Sequence, residues 1–242
     1  MSTQVLTQSS PASFSDGGDV GNNFTPSAHP TSRTKGLKER IRNHYEKAAQ
    51  CYQIYWGEHI HHGYFKAVDD TKDAAQLNLV ELLLEQSQLE RGSSVLDVGC
   101  GLGGCDRHLA KFWDCRITGI AISGREIQIA KKLAAEEAFT SPKGMLCTEN
   151  FQLGRGEVCY LELDAEKLGD YFGFSAEPTT FQGIWIVETM SQIPDKDLLF
   201  RNAELLLDHG GKLIIADWFK ADDLTLEQMN SDVKPIEGMA GL

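Results

Sequence analysis

The stretch Val95-Leu-Asp-Val-Gly-Cys-Gly-Leu-Gly-Gly104 decides the fold. Ser94 to Val98 is a short apolar run that reads as a buried strand, and Gly103 to Trp113 fits a helix. Between them the glycines permit a tight strand-to-helix turn and a close approach of backbone to ligand. Gly99, Gly101 and Gly104 satisfy G-x-G-x-x-G, the spacing of a dinucleotide loop. A glycine-rich turn that holds no ligand is the alternative reading of the same residues.

Outward from this loop the pattern alternates. Arg116 to Ile122 reads as a second strand, followed by a helix from Gly124 to about Glu137. Val158 to Leu163 and Gly183 to Val187 are further strands, Asp195 to Leu207 is a helix closed by Gly210-Gly211, and Lys212 to Trp218 is a fifth strand. Apolar strands alternating with amphipathic helices predict an α/β fold. The expected form is a doubly wound, Rossmann-like, mostly parallel sheet with helices on both faces and a ligand crevice beyond the carboxyl ends of its strands. Upstream, Leu37 to Tyr52 suits a charged helix, and Asp73 is placed to cap a helix carrying Leu77, Val80 and Leu84. Of the first 36 residues, 21 are Ser, Thr, Gly, Asn or Pro, too polar to offset their ordering entropy. The expected organisation is therefore a disordered tail (1–36), a helical cap segment (37–90) and a ligand-binding core (91–242).

The chain has 242 residues and a formal net charge of −12, which repels phosphate backbones and argues against nucleic-acid binding. The basic run Lys35 to Arg42 reads as a solvated helix start. Apolar stretches such as Leu213 to Ala216 are too short to span a bilayer. Met1 to Ser10 lacks the basic start and apolar core of a secretory signal, and Asp16 and Asp19 argue against a transit peptide. The six cysteines form no C-x-x-C pair and read as small hydrophobes in a reducing, cytoplasmic setting rather than as a disulfide framework or zinc site.

Two details bear on the ligand. Asp97 ends a strand that a dinucleotide enzyme keeps apolar, where a carboxylate accepts from an ammonium group or orders the loop. The second strand ends in Gly119-Ile-Ala-Ile-Ser123 without the acid that a dinucleotide ribose wants. Glu126, beyond it, reads as a solvated helix residue. A nicotinamide-dependent oxidoreductase is disfavoured on both counts.

At these residues the chain resembles the class I S-adenosylmethionine-dependent methyltransferases, in the small-molecule branch with tocopherol, sterol and natural-product enzymes. Three blocks carry the resemblance: Trp56-Gly-Glu-His-Ile-His-His-Gly-Tyr-Phe65, Val95 to Gly104, and Ile184-Trp-Ile-Val-Glu-Thr-Met-Ser-Gln-Ile-Pro-Asp-Lys196. The resemblance implies S-adenosyl-L-methionine as cofactor, with Asp97, Gly99 and Gly101 at its amino-acid end and Ile122 and Ser123 beside ribose and adenine. Ser123 also suits a helix N-cap. Asp164-Ala165-Glu166 occupies the place where related enzymes bind the adenine amino group, or is a solvated acidic turn.

Tyr45, Tyr52, Trp56 and Tyr64 either pack over the cofactor or are simply core. For His59, His61 and His62 a metal reading fails on partners, because the sequence offers no nearby Cys or paired carboxylates. A general-base reading suits histidine, and the resemblance favours His61 lining the cofactor pocket. The catalytic candidates are Glu188, Gln192 and His59. Where tocopherol-type enzymes carry Glu-His before the Pro-Asp-Lys turn, this chain has Ser191-Gln192, and Gln192 takes no proton.

Only 22 residues follow Lys220, too few for the helix and strand pair that the resemblance implies, so the C-terminal end reads as abbreviated. The exposed edge of the fifth strand then invites a homo- or hetero-oligomer. The expected function is methyl transfer to a small molecule, lipid-like or a specialised metabolite. The alternative is a methyltransferase-like cofactor-binding or partner subunit without turnover.

Overall fold

The computed structural model describes residues 32–141, 149–173 and 179–235. Its first elements are α1 (Ser32–Tyr55), α2 (Lys72–Ser87), β1 (Ser94–Val98), α3 (Gly104–Trp113), β2 (Arg116–Ala121) and α4 (Gly124–Glu137). Then follow β3 (Phe139–Ser141), β4 (Asn150–Leu153), β5 (Gly156–Glu162), β6 (Phe181–Val187), α5 (Lys196–Leu206) and β7 (Leu207–Ala216). The strands form one seven-stranded sheet in the order β3-β4-β5-β2-β1-β6-β7.

β5, β2, β1, β6 and β7 pair in parallel, and β3 and β4 run antiparallel at one edge. β1 lies at the switch of strand order, with Val95 opposite Ile117 on one side and Gly183 on the other. Successive β1 side chains enter opposite faces of the sheet. Val95 joins the core beneath α2, α3 and α4, while Leu96 and Val98 join the core that packs α5. Trp185 on β6 belongs to the first of these cores and its neighbours Ile184 and Ile186 to the second. The sheet is thus covered on both faces, the arrangement expected of a doubly wound fold.

Several elements differ from expectation. The expected tail lies outside the described residues as far as residue 31, but α1 already begins at Ser32. Lys38 on this helix reaches across to Asp164 and Glu166, so the basic run is an anchor and not only a solvated start. The N-cap of α2 is Thr71, whose hydroxyl accepts from Ala74 N at 3.2 Å. Asp73 sits in the first turn, where its charge complements the helix dipole. β7 starts at Leu207 rather than Lys212, because a bulge through Gly210 (φ 79°) lets the chain pair with Phe181 before the main ladder. Cys51, Cys100, Cys105 and Cys115 are free thiols, whereas Cys159 is disulfide-bonded, contrary to the all-thiol reading.

Candidate active site

A cleft with about 1010 Å³ of open space lies at the carboxyl ends of β1, β2, β5 and β6. β1 ends in Asp97 and the glycine loop, and β2 leads into Ile122. β5 leads into Asp164 and Ala165, and β6 into Glu188. Tyr45 from α1 and His59 and His61 from the following segment close the cleft. The structure therefore brings together Tyr45, His61, Asp97, Gly99, Gly101, Ile122, Asp164 and Ala165, together with Glu188, Gln192 and His59. Ser123 is not in the wall. It is fully buried at the start of α4, where its hydroxyl accepts from Glu126 N and donates to Glu46 Oε1 at 3.1 Å. Tyr52, Trp56 and Tyr64 are not in the wall either: Tyr52 bonds His44, and Trp56 meets the His62 ring edge-on.

Gly99 has φ 91°, and a Cβ there would lie 2.1 Å from Thr189 Oγ1, so only glycine lets the loop pass this turn. The N–H groups of Gly99 and Cys100 both donate to Ile120 O at 2.9 Å, and that of Gly103 donates to Cys100 O. These amides hold the loop in shape and are not offered to a ligand. Asp97 is 3% exposed. Burial, and then the like charge of Asp106, push its carboxyl well above the ordinary range. Burial also lifts Asp106 to about 6, and no other donor reaches its oxygens among the described residues. A buried carboxyl in the cleft wall, Asp97, beside a second whose oxygens lack donors, Asp106, suits a cationic ligand group such as an ammonium.

α1 spans the cleft and is tied at both rims. Lys38 Nζ donates to Asp164 Oδ2 at 2.8 Å and to Glu166, while Gln192 Nε2 donates to the Tyr45 hydroxyl at 2.6 Å. Burial raises the Tyr45 phenol to about 12, so it stays protonated. Asp164 also caps the turn Ala165–Lys167 by accepting from Glu166 N, so it is not a free acidic turn. Glu188 has φ 50°, an uncommon conformation for a non-glycine residue. Its carboxylate accepts from His62 N at 3.0 Å and from His62 Nδ1 at 2.8 Å. The His62 ring stands edge-on to Trp218 at 4.7 Å and to Trp56 at 5.1 Å. The Glu188 hydrogen bond raises the His62 pKa.

Two expectations are corrected here. Glu126 is not solvated: it is 5% exposed and lines the cleft, because the first turn of α4 faces inward. A cysteine does lie near the histidines: Cys105 Sγ is 3.3 Å from His61 Nε2 and 3.8 Å from His59 Nδ1, brought there by the fold from 44 and 46 residues away.

Burial, and then the Glu46 charge, raise Glu126 from 4.5 to about 8. The folded state therefore binds more protons than the unfolded state between these values, and stability falls as pH rises from about 4.5 towards 8. At about 1.4 kcal/mol per pH unit, up to roughly 5 kcal/mol is lost over this window. Glu126→Gln is expected to remove that slope and to be more stable than the parent at pH 8. Thermal unfolding of both proteins at pH 5 and pH 8 checks this, and parallel pH profiles would refute it. Tyr45 and Tyr52 also face this carboxyl, and their phenols stay neutral throughout the window.

Fold and cleft together define a class of protein whose members bind a charged nucleoside ligand at a glycine loop. A family described as mycolic acid cyclopropane synthetase matches residues 32–153, and one described as methyltransferase domain matches residues 96–215. The chain belongs to the S-adenosylmethionine-dependent methyltransferase family. It is 28% identical over 200 residues to the 2-methyl-6-phytyl-1,4-hydroquinone methyltransferase of Synechocystis sp., covering 80% of this chain and 55% of that protein. It is 26% identical over 208 residues to the chloroplastic tocopherol O-methyltransferase of Arabidopsis thaliana, covering 81% and 53%. The chain thus spans about half the length of the curated relatives it matches. In fold it matches a cyclopropane synthase from Mycobacterium tuberculosis, with a TM-score of 0.62 and 19% identity over 80% of this chain and 60% of that one. It also matches the [4+2]-cyclase SpnF, with a TM-score of 0.60 and 23% identity over 74% and 60%.

Proposed function

We propose that the protein transfers a methyl group from S-adenosylmethionine to a small phenolic acceptor with an apolar tail. The observation that carries this reading is the cleft itself, which joins the buried Asp97 carboxyl and the Gly99 turn to Glu188, whose carboxylate holds the exposed His62 just outside the wall. Asp97 would hold the ammonium of the methionine end, Ile122 would pack the adenosine, and Asp164 and Ala165 would meet the adenine edge. The site fits the donor: it has buried acids for a cation, a glycine cradle and an apolar wall.

Bound S-adenosylmethionine supplies a methyl group already activated on a sulfonium, so the transfer needs alignment and exclusion of water more than side-chain chemistry. α1, tied at both rims, supplies the exclusion. His62 supplies a base. In the neutral ring, with Nδ1–H donating to Glu188, Nε2 is unprotonated and able to accept the hydroxyl proton of the acceptor. This pair stands in for the histidine that Gln192 replaces, and Gln192 instead holds Tyr45. The exposed Trp218 ring beside His62, followed by the exposed Phe219, makes an apolar mouth suited to a lipid-like tail. The curated relatives named for phytyl-hydroquinone and tocopherol support the same acceptor class, and a catalytic pair poised at the mouth favours turnover over binding alone.

The net charge of −12 supports a small acceptor over nucleic acid. Among the described residues β7 forms one edge of the sheet, and such an edge suits pairing with a second chain. No described helix is long and apolar enough to cross a membrane. Four of the cysteines are free thiols and Cys159 is disulfide-bonded, so the cysteines do not decide the compartment, and a fluorescent fusion tests a cytoplasmic against a plastid location.

The reading is tested by incubating the purified protein with methyl-labelled S-adenosylmethionine and a prenylated hydroquinone. Label in the organic phase is the expected result. Tight binding of the donor with no label in any phenolic or lipid acceptor would favour the non-catalytic subunit.

A further inference from the structure

We propose that His59, His61 and Cys105 bind a zinc ion in the wall of the cleft, leaving one coordination position open to the cavity. The three side chains are all buried, and their ligating atoms lie within 4.8 Å of one another. All three residues line the cleft.

The local structure aims the donors. Gln76 Nε2 donates to His59 O at 2.8 Å and to His61 O at 2.9 Å, which fixes the main chain on either side of Ile60. The carbonyl of His62 accepts from His61 Nδ1 at 2.8 Å, and a carbonyl only accepts, so Nδ1 carries the proton. The bare Nε2 then points at Cys105 Sγ, 3.3 Å away. Backbone capture of one imidazole nitrogen, freeing the other, is how proteins orient a metal-binding histidine. On the opposite side, Gly104 lets the start of α3 come this close. A Cβ there would lie 2.2 Å from Glu58 O and 2.9 Å from His59 Nδ1.

Distances and chemistry point to zinc. Tetrahedral zinc with Zn–N of about 2.0 Å and Zn–S of about 2.3 Å holds its nitrogen and sulfur ligands roughly 3.5 Å apart. The two observed sulfur–nitrogen distances, 3.3 and 3.8 Å, bracket that value. Two imidazoles and one thiolate form a borderline-soft donor set, and three protein ligands with an open position are typical of zinc that meets a substrate or water. On binding, the Cys105 thiol loses its proton to solvent and the thiolate takes its place on the metal. The proposal concerns metal binding and stands apart from methyl transfer.

The test uses the full chain, stripped with a chelator and titrated with Co²⁺. One equivalent is expected to bind with a thiolate-to-cobalt charge-transfer band and the visible bands of a tetrahedral site, and Zn²⁺ should displace it. Cys105→Ser loses the charge-transfer band, while Cys51→Ser keeps it. Gln76→Leu retains the band but weakens zinc affinity about 10- to 100-fold, the usual cost of removing an outer-shell partner. His61→Gln serves as a second ligand variant should Cys105→Ser fail to fold, with circular dichroism monitoring both; it is expected to weaken zinc binding by more than Gln76→Leu does. Absence of bound cobalt in the parent protein, or a thiolate band that survives in a folded Cys105→Ser, overturns the proposal. So does zinc affinity unchanged in folded His61→Gln.

Discussion

Asp97→Ala is expected to weaken S-adenosylmethionine binding by at least about 100-fold, measured by titration calorimetry on the purified protein. The carboxyl sits at the end of β1 with 3% exposure, at the register position opposite Gly119 on β2 and Trp185 on β6. No other described residue places a carboxyl at this point of the glycine loop except Asp106, which belongs to the same pair. Removing one partner from a buried charge pair leaves the other uncompensated and typically costs about 3–5 kcal/mol, which corresponds to a loss of about 100-fold or more. Asp97→Asn keeps the shape and a carbonyl acceptor but not the charge, so it should fall between parent and alanine. Neither variant should unfold the protein, because each removes one of two acids that burial and mutual repulsion disfavour. An Asp97→Ala variant with parental affinity would remove this residue from the site.

The parts of the molecule visible in the sequence are those encoded by short-range pattern. β1, β2, β5 and β6 are mostly apolar runs bounded by glycine or polar residues, so their positions follow from local pattern. β3 and β4 escaped notice because Phe139-Thr-Ser and Asn150-Phe-Gln-Leu are short and polar, and pair only with each other and the flank of β5. Thr71 and Asp73 are both good cap residues two positions apart, and only the dihedrals of the chain decide between them. The cleft residues were legible where a loop carries them on consecutive positions, as at Asp97 to Gly101. They were not legible where two distant segments meet. His62 and Glu188 are 126 residues apart, and Lys38 and Asp164 likewise. The histidines lacked a cysteine in their own segment, and the fold supplies Cys105 from the start of α3. Spacing arguments reach along a chain, whereas these pairs are made by the sheet that brings strand ends together.

Glu188→Gln and His62→Gln are each expected to lower kcat for a phenolic acceptor by about 100-fold, with little change in the affinity for S-adenosylmethionine. General-base catalysis contributes about 10²–10⁴-fold, and the two residues share one such contribution. Glu188 is the positioning partner. Its two oxygens accept from both the main-chain N and the ring Nδ1 of His62, which fixes the imidazole plane and leaves Nε2 as the acceptor. The main chain holds this geometry in an uncommon conformation (φ 50°), tethered by the bond from Glu188 N to Ala216 O at 2.7 Å on β7. Groups acting as one unit are strongly non-additive, so the double variant should be no slower than the slower single variant. An alternative role, in which Glu188 merely ties the segment after α1 to β6, predicts a different pattern. Loss of the tie would raise KM and lower thermal stability in both variants, and the losses in kcat would be small. The pH profile separates the two further, since a residual rate in His62→Gln carried by solvent base rises with pH and with added imidazole. Rescue by imidazole in His62→Gln but not in Asp97→Ala would place the base at the rim of the cleft and the cofactor's anchor at its floor.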